Sequence, residues 1–279
     1  MVKRRIQAVL LIVCLASLAS PPLGTPQMPI CQTDQPAPKS APQAPPSLRS
    51  SNTCRARITA MQRVHATPAP GYHHLGATSA TRWSGVIGRI EVADPQVRAD
   101  TYDFVATRFM AKAQTRDGLA WLEAGWTETG WSGQGRQRIY SYDTNRQSWI
   151  FYDEYRIQPG DRVWIFIRTE QDSERAAWQA WLWWGEKWNL LTSQELAIGG
   201  RALLEQYVEV HGDNAFNVPT VRVDSVALQD GPKGTMRHWD ADVPTTAGAG
   251  TDGYCLGWES RYSSWSAGSC GLSSIQAAP

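Results

Sequence analysis

Ala120-Trp121-Leu122-Glu123-Ala124-Gly125-Trp126-Thr127 and Leu203-Leu204-Glu205-Gln206-Tyr207-Val208-Glu209-Val210-His211 both read with a period of two. Successive side chains of a strand point to opposite faces. In the first stretch Leu122, Ala124 and Trp126 share one face, and Trp121, Glu123 and Gly125 share the other. In the second, Leu204, Val208 and Val210 share one face, and Glu205, Tyr207, Glu209 and His211 share the other. The apolar face of each strand can meet a core. The opposite face then carries three glutamates among aromatic rings.

Working outward, the same texture runs from Trp83 to about residue 230. Runs of Val, Ile, Trp, Tyr and Phe alternate with Gly, Pro, Asp and Asn turns, which is the pattern of short strands. Strands are expected near Gly85–Val92, Tyr102–Ala111, Ala120–Thr127, Gln137–Tyr142, Trp149–Arg156, Arg162–Thr169, Trp178–Trp184, Trp188–Thr192, Leu203–His211 and Val221–Leu228. Gln158-Pro159-Gly160-Asp161 makes a turn, and Gly185-Glu186-Lys187 a tight hairpin. No 3.6-residue apolar period persists. The expected fold class is all-β, an antiparallel β-sandwich of the jelly-roll, concanavalin-like kind.

The flanks read differently. Lys3, Arg4 and Arg5 precede an apolar stretch, Ala8 to Leu18, and Ser17-Leu18-Ala19 offers small residues for cleavage. Residues 1–19 are thus expected to be a signal peptide, because the apolar run is short for a membrane span. Residues 20–50 are a Pro-rich linker expected to bury no core, and residues 51–80 an N-terminal extension in which Arg55 to Val64 could form a short helix. The sandwich is placed at 81–230. Residues 231–279 read as a Gly- and Ser-rich C-terminal extension, a loop region with Trp239, Trp258 and Trp265.

Export fits the cysteines. Without Cys14, Cys31, Cys54, Cys255 and Cys270 remain, an even set expected to pair in an oxidising compartment. Of three connectivities, Cys31–Cys54 and Cys255–Cys270 are favoured because each closes a short loop. The expected location is secreted, as a monomer with no membrane contact after signal cleavage. A formal net charge of +1 gives no electrostatic footprint for nucleic acid. No G-x-S-x-G, H-E-x-x-H or P-loop spacing occurs, so serine-hydrolase, zincin and nucleotide chemistry have no motif behind them. No metal and no cofactor is expected; the adjacent His73 and His74 lack a third ligand at helical spacing.

Two carboxylates across a groove can do general acid/base work, since one keeps a proton while the other ionises. Three readings stay open. A peptidase would act on a polypeptide through Glu123 and Glu205. A carbohydrate-binding module would stack sugar rings of a polysaccharide on Trp121, Trp131, Trp181, Trp183 and Trp188. A glycoside hydrolase would use the same two glutamates.

A resemblance favours the first. Leu122-Glu123-Ala124-Gly125-Trp126, Gln137-Arg138-Ile139-Tyr140-Ser141-Tyr142-Asp143, Ala180-Trp181-Leu182-Trp183-Trp184-Gly185 and Leu204-Glu205-Gln206-Tyr207-Val208-Glu209-Val210 come in an order that resembles the motifs of neprosin-type glutamic peptidases. More distantly, the Pro-Gly-Asp turn at 159–161 and a later Glu-x-x-x-Glu are similar to the eqolisins. The resemblance implies a β-sandwich, a catalytic Glu123 and Glu205 on neighbouring strands, and Glu209 tuning the pair. It implies a groove lined by Trp121, Trp126, Tyr140, Tyr142, Trp181, Trp183 and Tyr207. Eqolisins use Gln in place of the first Glu, and Gln137 is a candidate counterpart. The chain departs from the neprosin type where Glu-Gln-Tyr-Val-Glu replaces Glu-Trp-Gly-Gly-Glu, and it lacks the cysteine pair between the second and third motifs. On this reading Glu205→Gln removes a repulsive pair and leaves stability unchanged or higher.

Overall fold

The computed structural model of the chain describes residues 28–42, 45–48, 50–63, 71–133, 135–212, 217–251 and 253–271. The signal segment expected at 1–19 lies outside the described residues. None of the described residues is helical.

The strands in chain order are β1 Thr53–Arg55, β2 Ala60–Gln62, β3 Tyr72–Ser79, β4 Gly85–Glu91, β5 Phe104–Thr115 and β6 Gly118–Thr129. There follow β7 Arg138–Asp143, β8 Ser148–Phe151, β9 Arg162–Thr169, β10 Ala176–Trp184, β11 Lys187–Leu196 and β12 Leu203–His211. The last are β13 Val221–Gln229, β14 Met236–His238, β15 Thr245–Ala247, β16 Tyr254–Ser260 and β17 Ser264–Ser269. They form two sheets. The front sheet runs β15-β3-β12-β5-β6-β7-β8-β2, and the back sheet β1-β11-β10-β9-β4-β13-β17-β16, with β14 beside β13. All pairings are antiparallel except β1 with β11. The fold is the expected all-β sandwich.

The core lies between the sheets and is built by the period of two. Leu122, Ala124 and Trp126 of β6, and Leu204, Val208 and Val210 of β12, are fully enclosed. They meet Val86 and Ile90 of β4 and Ile165 and Ile167 of β9 from the back sheet. Burial of such side chains contributes about 25 cal/mol per Å2 of apolar surface, which is why the inward half of each strand reads apolar. Indoles fill much of this space, and several of their N–H groups find partners: Trp126 donates to the Glu91 carbonyl at 2.8 Å, Trp178 to that of Gly199 at 2.9 Å, and Trp265 to Gln206 Oε1 at 2.6 Å. Six of the 14 tryptophans, Trp83, Trp126, Trp178, Trp184, Trp239 and Trp265, are thus core, where a wide two-sheet gap takes the largest side chain.

The hairpin between β10 and β11 turns on Gly185 and Glu186, both with positive φ (56° and 57°), as a two-residue turn matched to strand twist requires.

Both flanks differ from expectation. Where a short helix from Arg55 was expected, the described residues carry the end of β1 at Arg55 and all of β2. The Pro-rich stretch is laid on the outer face of the back sheet: Met28 packs on Phe166, Trp181, Trp188 and Leu190, and Arg168 donates to the Pro46 carbonyl at 2.6 Å. The C-terminal extension supplies four strands, of which β14, β16 and β17 join the back sheet and β15 the front sheet. Both disulfides pair as favoured, Cys31 with Cys54 and Cys255 with Cys270. The first pins the N-terminal segment and the second joins the β16–β17 hairpin.

Candidate active site

The outward face of the front sheet carries the site. Strand register orders its side chains in rows. One row is Tyr142, Glu123, Met110, Glu205 and Thr78, from β7, β6, β5, β12 and β3. The next is Tyr140, Gly125, Arg108, Tyr207 and Gly76. Beyond it stand Ala106, Glu209 and His74, then Phe104, His211 and Tyr72. Glu123 and Glu205 are thus not on neighbouring strands as expected. Strand β5 separates them and brings Arg108 within ion-pair reach of both carboxylates. An open groove of ≈ 490 Å3 follows this face. Along β12, from the row of Leu203 to that of His211, it spans about 27 Å at the rise of an antiparallel strand.

Gly125 is required by close approach. A Cβ there would stand 1.9 Å from the Thr107 carbonyl oxygen.

The three glutamates are 5–6% exposed, although they face away from the core. Arg108, 3% exposed, joins them. Its Nε lies 2.7 Å from Glu209 Oε2 and 3.4 Å from Glu123 Oε2, and its Nη1 lies 3.4 Å from Glu205 Oε2. Glu205 also pairs with Lys112 and accepts from Thr78 Oγ1 at 3.0 Å. Glu209 accepts from the Tyr72 hydroxyl and has His74 Nε2 at 3.6 Å. Glu123 has fewer donors, with the Tyr140 hydroxyl at 3.2 Å and the long contact to Arg108.

The proton affinities divide accordingly. Burial pushes Glu123 up to about 7; the Arg108 charge opposes this without cancelling it, and the Glu209 and Glu205 charges add to the rise. Burial acts on Glu205 the same way, but the Arg108 and Lys112 charges outweigh it and hold that carboxyl below the ordinary range. Glu209 is likewise buried, and Arg108 with the His74 and Tyr72 hydrogen bonds brings it far below that range. Tyr72 and Tyr140 are pushed up, first by burial and then by the adjacent carboxylates, so both remain donors.

Of the residues expected to line the groove, Trp121, Tyr142, Tyr207 and Glu209 do. The Trp121 and Tyr142 rings stack at 5.1 Å with 1° between their planes. Tyr140 lies beneath the floor, fully buried, and reaches the site through its hydroxyl. Three placements are corrected. Trp126 points into the core, as its shared face with Leu122 and Ala124 requires. Trp181 and Trp183 belong to β10 of the back sheet, on its outer face with Phe166 and Trp188, remote from the groove. Gln137 donates to Glu128 at 2.6 Å and does not line the groove. Sequence reasoning missed Arg108, Lys112, Tyr72 and Thr78. Arg108 falls on the same face as Lys112 of its strand, with Met110 between them and Phe109 and Ala111 on the other face, so the two cations are a signal the spacing does carry.

No protein-family model matches the chain, and no curated protein matches it. Among solved structures it is similar in fold to scytalido-glutamic peptidase with a peptide-based transition-state analogue. The identity is 11% over 71% of this chain and 97% of that one, with a TM-score of 0.43. It is also similar to SCP-B, a member of the eqolisin family of peptidases, in complex with the tripeptide Ala-Ile-His. There the identity is 11% over 71% of this chain and 96% of that one, with a TM-score of 0.40.

Proposed function

We propose that the chain is an exported endopeptidase that hydrolyses peptide bonds in acid, with Glu205 as general base and Glu123 as general acid. One observation carries the reading: two buried carboxyls share a single row of one groove with Arg108 within 3.4 Å of each, and their partners differ, so burial raises the proton affinity of Glu123 while Arg108 and Lys112 lower that of Glu205. Such a divergence is what assigns acid and base roles to a pair of like groups. The order of glutamate-bearing motifs along the chain supports the same roles.

The steps balance as follows. Ionised Glu205 takes a proton from water as the hydroxyl adds to the scissile carbonyl carbon. Glu123 gives its proton to the carbonyl oxygen. In collapse, Glu205 returns its proton to the leaving nitrogen, the C–N bond breaks, and the hydroxyl proton of the intermediate goes back to Glu123. Both groups end as they began. A base held below the ordinary range stays ionised in acid, and an acid group at about 7 stays protonated there. The two disulfides suit an oxidising, extracellular setting.

The sugar-stacking reading has lost its aromatic row. Of the five tryptophans it relied on, Trp181 and Trp188 are buried on the far sheet and Trp183 lies beside them, which leaves Trp121 and Trp131.

The test is the pH profile of kcat/KM on a denatured protein substrate. The expected profile is bell-shaped in acid, with an alkaline limb near pH 7 that Glu123→Gln removes together with most activity. A flat baseline across pH 3 to 8 excludes the peptidase.

A further inference from the structure

We propose that Arg108 is the positioning residue of this site: its guanidinium, seated on the strand between the two catalytic strands, divides the three glutamates into one proton donor and two acceptors. The inference rests on the peptidase reading and goes beyond it, because nothing in the glutamate motifs points to an arginine.

Charge counting comes first. Among the described residues, Glu123, Glu205 and Glu209 face only Arg108 and Lys112 as fixed cations within ion-pair reach. His74 stands at the rim, its side chain 41% exposed, beside Glu209. Three carboxylates against two cations leave one negative charge in excess. A buried cluster with an uncompensated charge is costly, and one proton on one carboxyl removes it. Hydrogen bonding then decides which carboxyl takes the proton. Glu209 receives the short Arg108 bond at 2.7 Å and the Tyr72 hydroxyl. Glu205 receives Lys112, Thr78 at 3.0 Å and Arg108 Nη1. Glu123 receives a 3.2 Å bond from Tyr140 and only the far side of Arg108 Nε. The tyrosines that face the cluster from β3, β7 and β12, namely Tyr72, Tyr140, Tyr142 and Tyr207, are all pushed up and add no charge.

Arg108 is well placed to enforce this. Register sets it one row from Glu123 and Glu205 and one row from Glu209. It sits over the Tyr207 ring at 5.8 Å, which adds a weak cation–π contact. At 3% exposure it is saturated by the glutamates and does not touch a reacting bond. It acts through them.

The experiment is a carbon-13 titration of the glutamate side-chain carboxyls in the disulfide-bonded mature chain, with Glu123→Gln, Glu205→Gln and Glu209→Gln to assign signals. In the wild type two carboxyls should titrate near neutrality, Glu128 on β6 outside the cluster and one member of the cluster, and the cluster's signal should be the one lost in Glu123→Gln. In Arg108→Gln the Glu205 and Glu209 signals should move up by about one unit or more, that is tenfold or more in proton affinity. The acid limb of kcat/KM should move with them, with KM little changed, and Arg108→Lys should restore most of both. If all three wild-type carboxyls titrate together in the ordinary range, or Arg108→Gln leaves the pattern unmoved, the inference is overturned. Where Arg108→Gln does not fold, Arg108→Lys takes its place: a weaker, point-like cation should raise the Glu205 and Glu209 signals by a smaller amount, and an unmoved pattern in it overturns the inference. Because the titration needs no turnover, an inactive protein with the divided pattern refutes the peptidase and not the division of protons.

Discussion

Replacing Glu123 with Gln should make the domain more stable than the wild type at pH 8, by a margin that shrinks to a small one at pH 5. A group whose proton affinity is raised on folding contributes stability that is present below its unfolded value and lost as pH rises through its folded value. For Glu123 those bounds are the ordinary glutamate value of 4.5 and about 7. Integrating the linkage relation between pH 5 and pH 8 gives a loss on the order of 2–3 kcal/mol from this group alone. Gln keeps the shape and can still accept from Tyr140, but it does not ionise, so the loss vanishes. Glu205 and Glu209, both held low, stay ionised in the native and unfolded chain across this window and drop out of the comparison. Glu128 is also raised to about 7, chiefly by burial, so the variant keeps the slope that Glu128 imposes and only the difference between the proteins isolates Glu123. Urea unfolding of both proteins at pH 5 and 8 measures it. A difference that is the same at both pH values, or that favours the wild type at pH 8, refutes the placement of the proton on Glu123.

Other expectations concern single contacts. Glu205→Gln should cost stability at neutral pH, by on the order of 1–3 kcal/mol, because it leaves Lys112 and Arg108 short of a partner. This reverses the relief expected from sequence, and thermal unfolding at pH 7 reads it. Gly125→Ala should destabilise by on the order of 3 kcal/mol, since its Cβ would meet the Thr107 carbonyl oxygen at 1.9 Å in a backbone that cannot part without breaking the β5–β6 ladder. Denaturant melts check it, and a shift under about 0.5 kcal/mol would contradict the close approach. Removing Cys255 and Cys270 together, whose sequence separation is 15, should cost about 3 kcal/mol and loosen the C-terminal hairpin, seen as faster amide exchange in β16 and β17.

The parts of this fold that were legible in the chain are those where period and turn chemistry act locally. Arg162–Thr169 and Leu203–His211 are strands with the bounds their residues suggest, and the faces of β6 and β12 are sorted as alternation requires. Alternation is blind to which strands neighbour each other. It set Glu123 and Glu205 outward but could not show that β5 runs between them and brings Arg108 to the centre. It is equally blind to which sheet a strand joins, so Trp181 and Trp183 were placed in a groove that belongs to the other sheet. β3 was hidden because Gly71 and Gly76 break the strand texture around Tyr72, His73 and His74. β17, Ser264–Ser269, was hidden because small residues carry little apolar signal; its Gly268 stands where a Cβ would be 2.9 Å from the Val218 carbonyl, a place only a small residue can fill.

The central claim is that Glu205 and Glu123 together hydrolyse peptide bonds, and the most direct measurement is cleavage of an internally quenched peptide library by the mature chain at pH 4.5. Wild type, Glu123→Gln and Glu205→Gln should be compared after each is shown to be folded. The account predicts turnover by the wild type and at least a hundredfold loss in each variant, the size expected when a positioned general acid or base is removed. A folded wild type that cleaves nothing, or a Glu205→Gln variant that cleaves as well as the wild type, would contradict it.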